Sequence, residues 1–173
     1  GFPLSEVYFH GNNKGKDELE MGLDNQIGRI VIDSFYELDL LNKLAKERGI
    51  TQDVMLRLSP SIDPHTHEKT TTGILDSKFG FSIETGDAES AIKRALVASN
   101  LDLVGIHFHL GSPIFELEPY SIAIDTVLTF LSQFKQAGLD LREFSPGGGF
   151  AIGYLHNQLP PPIASYAEVI TKA

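Results

Sequence analysis

Cysteine is absent from the 173 residues, which removes any disulfide framework and fits a cytoplasmic setting. No apolar run approaches the ~18–20 residues that a membrane-spanning helix requires. No basic segment leads into an apolar stretch and a small-residue cleavage site, so nothing reads as a signal peptide. Basic residues are the minority: 14 Lys and Arg stand against 23 Asp and Glu, a formal net charge of −9. A phosphate backbone demands a basic face, so nucleic acid is excluded as a partner. A small anion needs only local donors and is not excluded. Internal repeats, low-complexity tracts and linkers are also missing. What remains is a chain with 42% hydrophobic residues, enough for a buried core, and a length that suits one domain or a large piece of one.

Apolar, β-branched runs alternate with helical patterns. Val7–Phe9, Arg29–Ile32, Val54–Leu58, Leu103–His109 and Leu141–Phe144 read as strands. A helix follows the second strand: Ser34 caps it, Glu37 completes a capping box, and Leu38, Leu41, Leu44 and Ala45 form one apolar face before Gly49 stops it. Further helices are predicted after Asp87, from near Pro119 towards Gly138, and from Ser165. The longest irregular stretch runs from Ser59 to about Thr85, and a loop of that length usually has a task. Strand–helix alternation with short connections implies parallel strands and right-handed crossovers. A doubly wound sheet and a (β/α) barrel both fit, and five strands are too few for a complete eight-stranded barrel.

Side chains alternate between the two faces of a strand. Ile30 and Ile32 oppose Asp33; Val54, Leu56 and Leu58 oppose Arg57; Ile106 and Phe108 oppose His107 and His109; Val7 and Phe9 leave His10 on the other face. The apolar face belongs beneath the helices. In a barrel the polar residues then point inward, near the C-terminal rim where barrel active sites form. A single inward histidine is more often a hydrogen-bonded core residue than a catalyst, and Asp33 with Arg57 is by itself no more than a buried ion pair. Four successive strands each delivering a charged or imidazole group to one end point instead to a functional rim.

Gly147-Gly148-Gly149 follows the last strand. Consecutive glycines permit positive φ and let backbone N–H groups approach an anion, although a bare triplet is equally a flexible turn. Ser112, in His109-Leu110-Gly111-Ser112, adds a hydroxyl one strand earlier, and the two together form a candidate phosphate site. Two other arrangements compete. His65-Thr66-His67-Glu68 has metal-ligand spacing but lies in a polar loop without a second cluster. His107-Phe108-His109 has the H-x-H form that opens metal-dependent barrel hydrolases, where two imidazoles hold a cation that activates water. Such a site needs further His and Asp ligands from later strands, and none is convincingly supplied, so no metal is expected.

The set of segments resembles the diaminopimelate decarboxylases, fold-type III pyridoxal-phosphate enzymes grouped with ornithine and arginine decarboxylases and more distantly related to alanine racemase. The matching segments are Phe9-His10-Gly11-Asn12-Asn13-Lys14, Val31-Ile32-Asp33-Ser34, Leu56-Arg57-Leu58, His65-Thr66-His67-Glu68 with Thr72-Gly73, and Asp76-Ser77-Lys78-Phe79-Gly80-Phe81. Gly105-Ile106-His107-Phe108-His109-Leu110-Gly111-Ser112 and Gly147-Gly148-Gly149-Phe150 complete the series, in family order along nearly the whole chain. Two departures stand out: Pro113 replaces a usual Gln after the serine, and Ser145-Pro146 replaces an Asp or Asn with an aliphatic residue.

The resemblance implies a partial TIM-type (β/α) barrel of parallel strands, incomplete at both ends. Residues 1–173 would be the central part of the pyridoxal-phosphate-binding barrel, with the first strand, the last strand and a C-terminal β domain outside it. It implies pyridoxal 5'-phosphate as cofactor. His109 would be the catalytic residue, stacked on the pyridine ring; Ser112 and the backbone of Gly147, Gly148 and Gly149 would hold the phosphate; Asp33, Arg57 and His10 would lie among the groups that orient the cofactor. Asp76–Phe81 would be a strand or strand edge, with Lys78 supporting nearby carboxylates. The reaction implied is decarboxylation of meso-2,6-diaminopimelate to L-lysine by a cytoplasmic homodimer acting on a small amino-acid substrate. The family's cofactor-holding lysine lies on the strand before Val7–His10, and its Glu-Pro-Gly-Arg segment would follow Ala173, so this stretch alone is expected to be inactive. Two other functions remain open: a non-catalytic decarboxylase-like regulatory protein, and a metal-dependent hydrolase using His107 and His109.

Overall fold

The computed structural model describes residues 1–62, 79–153 and 159–173. The histidine-rich segment His65–Glu68, Thr72-Gly73 and Asp76-Ser77-Lys78 therefore lie outside the described residues.

Among the described residues six strands, β1 (Tyr8–Phe9), β2 (Arg29–Ile32), β3 (Gln52–Ser59), β4 (Phe81–Ser82), β5 (Leu101–His107) and β6 (Glu143–Ser145), pair in parallel throughout. Their order is β1-β2-β3-β5-β6, with β4 joined to the last two residues of β3. Helices α1 (Lys16–Asp24), α2 (Phe35–Glu47), α3 (Asp87–Val97), α4 (Glu118–Ser132) and α5 (Ile163–Lys172) occupy the intervening chain. Strand–helix alternation in a parallel sheet, with one face under the helices, is a partial (β/α) barrel of the expected TIM type.

Burial divides the two faces. Ile30, Ile32, Val54, Leu56, Leu58, Ile106 and Phe108 join the helix residues Leu38, Leu41, Ala91, Ile92, Ala123 and Val127 in the main core. The opposite, inner face carries a small separate cluster of Val31, Met55 and Val104. Below the rim this face is polar: Arg29 Nε donates to Glu143 Oε1 at 2.8 Å and Tyr8 OH to Glu143 Oε2 at 3.0 Å, linking the β1–β2 side to β6.

One irregularity decides which way β5 presents its histidine. Val54 aligns with Leu103 but Met55 aligns with Gly105, so Val104 is an extra residue in β5. A bulge of one residue reverses the alternation beyond it. Leu103 and Ile106 consequently both reach the main core, while Val104 and His107 face the inside. Gly105 is required at the bulge, because a Cβ there would stand 2.6 Å from the Glu143 carbonyl oxygen and 2.9 Å from Met55 Cε.

The predicted strands match in position, with ends moved by a few residues; β5 stops at His107 and leaves His109 on the loop beyond it. Helix α1 was not expected. It is a polar helix that buries only Leu19, Gly22 and Leu23, too short a stripe for a clear periodic signal. The capping box at α2 forms by half. Ser34 Oγ accepts from Glu37 N at 3.2 Å, but Glu37 does not return the bond to the cap residue. Its Oε2 accepts from Asp33 N at 3.0 Å and its Oε1 lies 2.7 Å from Lys14 Nζ.

That ion pair is buried on both sides, with side-chain exposures of 2% and 3%. Lys14 also donates to the carbonyls of Gly11 at 2.6 Å and Val31 at 2.7 Å, so it ties the loop after β1 to β2. Burial pushes the Glu37 carboxyl above its ordinary value, against the pull of the Lys14 ammonium. Removing one partner strands a charge in the interior, which costs about 3–5 kcal/mol, whereas replacing both with apolar groups is often neutral. Lys14→Met is expected to destabilise the chain by that amount in urea unfolding, and Lys14→Met with Glu37→Leu to recover most of it. A single variant no worse than the double would contradict this.

Candidate functional site

Parallel register sets one layer of side chains across the inner face. Arg57 aligns with His107 and His107 with Ser145, and Asp33 follows Ile32, which aligns with Leu56. Within this layer Arg57 Nη1 lies 3.2 Å from Asp33 Oδ1. The other Asp33 oxygen accepts from Gly80 N at 3.0 Å, and Phe79 places its ring 5.1 Å from the Arg57 guanidinium carbon. His107 is buried, with Nδ1 3.0 Å from Ser145 Oγ. His10 closes the layer, its ring meeting that of His107 edge to face at 4.7 Å.

This crowding keeps the imidazoles neutral. Burial drives the His107 pKa down to about 3, helped by His10, Arg57 and His109. Burial is also the main cause that lowers His10, with Lys14, Arg57 and His109 adding to it, and it lowers His109, with Arg57 adding. All three imidazoles are thus shifted towards the neutral form beside the Arg57 guanidinium.

The glycine loop lies beside this layer. Gly147 has φ +75° and Gly149 φ +95°, the left-handed region. A Cβ on Gly147 would fall 2.5 Å from the Phe108 carbonyl oxygen and 3.1 Å from His109 Nδ1; one on Gly149 would fall 2.0 Å from the Gly111 carbonyl oxygen. Around Gly148 and Gly111 nothing stands within 4 Å of the Cβ position. The loop is therefore packed closely on both flanks and open at its middle, and among the described residues no acceptor takes the amide protons of Gly147, Gly148 or Gly149. Unclaimed amides in such an opening fit a phosphate. The two rim loops are laced together by Phe108 N to Ser145 O at 3.0 Å and Ile114 N to Gly149 O at 2.8 Å.

Of the residues singled out from sequence, His10, Asp33 and Arg57 meet in one layer, with His109 near enough to be electrostatically coupled to His10 and His107. His109 also adjoins Gly147. Ser112 is exposed on the β5–α4 loop, next to the Gly111 that abuts Gly149, and its bond to Pro113 is cis. His107 and His109 do not converge as a pair on one point: one turns to Ser145, the other lies against Gly147. Among the described residues no group of three or more His, Asp or Glu side chains is arranged to hold a metal, and no helix is long and apolar enough to cross a membrane. Sequence reading missed Ser145 as a partner of His107, and it missed Tyr120, whose hydroxyl donates to Gly148 O at 2.7 Å. Neither carries a local signal, since each contact joins residues far apart in the sequence.

A parallel (β/α) barrel segment with a glycine-rich loop beside an arginine- and histidine-lined rim is the kind of scaffold that holds a phosphate-bearing cofactor. The chain belongs to the pyridoxal-dependent decarboxylases: their pyridoxal binding domain matches residues 1–173. It is 40% identical over 174 residues to a diaminopimelate decarboxylase of Bacillus subtilis (strain 168), covering 100% of this chain and 40% of that protein. The crystal structure of the Methanocaldococcus jannaschii diaminopimelate decarboxylase with L-lysine superposes with a TM-score of 0.88 at 35% identity, over 98% of this chain and 39% of the other. The Helicobacter pylori diaminopimelate decarboxylase with L-lysine gives 0.87 at 31% identity, over 99% and 43%. The chain thus spans about two fifths of the length of the relatives it matches.

The depressed histidines make the fold acid-sensitive. A histidine of ordinary pKa 6.5 in the unfolded chain and about 3 when folded takes up its proton on unfolding across that window. Its contribution to stability is whole above pH 6.5 and is lost as pH falls towards about 3, by up to about 1.4 kcal/mol per pH unit. His107→Asn is expected to flatten the fall in urea-unfolding stability between about pH 6 and about pH 4 by roughly that slope. An unchanged slope would show that His107 is not held neutral.

Proposed function

We propose that residues 1–173 form the central part of the cofactor barrel of a diaminopimelate decarboxylase, which converts meso-2,6-diaminopimelate to L-lysine with pyridoxal 5'-phosphate. What supports the reading is the close packing of His109 against Gly147 beside the open backbone of Gly148. That is a flat neutral ring next to a phosphate-sized set of free amides. The names of the similar proteins point to diaminopimelate as substrate, and both crystal structures compared above were solved with L-lysine, the product such a reaction releases.

When bound, the cofactor supplies an electron sink for the pair left as the carboxylate departs as carbon dioxide. The chain's own part is positioning and charge. The amides of Gly147, Gly148 and Gly149, with the Ser112 hydroxyl, anchor the phosphate. His109 would stack against the ring and restrain it. Arg57, held by Asp33, adds to the burial that lowers the pKa of His107 and His109 and so favours their neutral, proton-accepting form. His10, edge to face with His107, fills the adjoining part of the rim. The first and last barrel strands and a C-terminal β domain belong to other parts of the polypeptide in this reading, and two subunits complete the substrate site as a homodimer in the cytoplasm.

The test uses the full-length protein with pyridoxal phosphate and, in parallel, meso-diaminopimelate, ornithine and arginine, with product and carbon dioxide quantified. Lysine formation from diaminopimelate far above turnover of the other two is expected, and His109→Ala is expected to lower kcat about 10–100-fold. Residues 1–173 expressed alone should release no lysine. Absence of lysine from the full-length protein, or preference for ornithine, would overturn the proposal.

A further inference from the structure

The glycine loop is braced from below by two tyrosines that the phosphate reading does not use. Tyr120 on α4 and Tyr166 on α5 are each 0% exposed, and their rings meet edge to face at 6.0 Å. Phe150 packs against both, at 5.9 Å and 4.7 Å. A buried tyrosine requires a partner for its hydroxyl, and each has one on the rim loops. Tyr166 OH donates to Ile114 O at 2.6 Å and accepts from Ala151 N at 3.1 Å. Tyr120 OH donates to Gly148 O at 2.7 Å.

The Tyr120 contact has a directional consequence. In a planar trans peptide the C=O of one residue and the N–H of the next point in opposite directions. Gly148 O is drawn towards the core by Tyr120, so Gly149 N–H points away from it, and no side chain of the loop competes there. Gly149 O is held in turn by Ile114 N at 2.8 Å, so the Phe150 N–H points away from Ile114. The Gly148–Gly149 peptide therefore has its carbonyl on the Tyr120 side and its amide on the other. In a run of three glycines nothing in the residues themselves enforces this, because both orientations of a glycyl peptide are sterically allowed.

We propose that Tyr120 is a positioning residue for the cofactor phosphate: its buried hydroxyl holds the Gly148–Gly149 peptide in the orientation that presents the Gly149 amide to the anion. The inference rests on the reading of the glycine loop as the phosphate site. Tyr166 holds Ile114 and Ala151 and packs the same aromatic cluster, but it touches neither peptide atom of Gly148.

The experiment compares Tyr120→Phe and Tyr166→Phe with the unmodified full-length protein, titrating each with pyridoxal phosphate and with pyridoxal, which lacks the phosphate. The readout is the ratio of the two affinities, so that changes in ring binding cancel. Phenylalanine keeps the packing against Phe150, and thermal unfolding verifies that each variant is folded. Tyr120→Phe is expected to lower the preference for the phosphorylated ligand roughly tenfold, the worth of one well-placed hydrogen bond, with little change in pyridoxal affinity. Tyr166→Phe is expected to keep that preference within about twofold of the original. Weakening of both ligands alike by Tyr120→Phe, an unchanged ratio, or an equal loss with Tyr166→Phe would overturn the role assigned to Tyr120. An unmodified protein with no preference for the phosphorylated ligand would overturn the phosphate site itself, and the inference with it.

Discussion

Parallel pairing at the C-terminal ends of β2, β3, β5 and β6 places Asp33, Arg57, His107 and Ser145 side by side, and the electrostatics of the rim depend on that alignment. Arg57 is held by Asp33 on one flank and faces His107 on the other. Burial, with the Arg57 guanidinium adding to it, lowers the pKa of three neighbouring imidazoles and favours their neutral form. The alignment is itself conditional on the bulge at Val104: without the extra residue, strict alternation would turn His107 into the helix-covered core and Ile106 into the site.

A second set of contacts keeps the site joined to the scaffold. Lys14 and Glu37 tie the β1 loop, β2 and the start of α2 together beneath Asp33. Phe108 and Ile114 amides lace the β5 loop to the glycine loop, and the tyrosines of α4 and α5 anchor both from the outer side. The rim is thus irregular backbone pinned at Phe108, Ile114, Gly148 and Ala151, and among the described residues the amides of the glycine loop have no acceptor.

Much of this was legible in the sequence because it is local. β2 matched to the residue, since Arg29–Ile32 is a compact run before a strong helix cap. The inward direction of Asp33, Arg57 and His107 followed from two-residue alternation close to each strand end, which survives a bulge farther back. What was hidden depends on contacts distant in sequence. The Glu37 half of the capping box was lost to Lys14, 23 positions upstream in a different loop. On α4 Leu128 is 38% exposed while Tyr120 is fully buried, because α4 packs partly on α5 and the glycine loop rather than only on the sheet. The departure at Ser145-Pro146 was visible in the sequence, but not that Ser145 would engage His107.

The central claim is that the glycine loop and His109 together seat the two ends of one cofactor. A crystal structure of the full-length protein grown with pyridoxal phosphate tests it most directly. The account predicts the phosphate at the amides of Gly148 and Gly149 within reach of the Ser112 hydroxyl, with the ring lying on the His109 imidazole. A phosphate bound elsewhere, or a ring that makes no contact with His109, would contradict it.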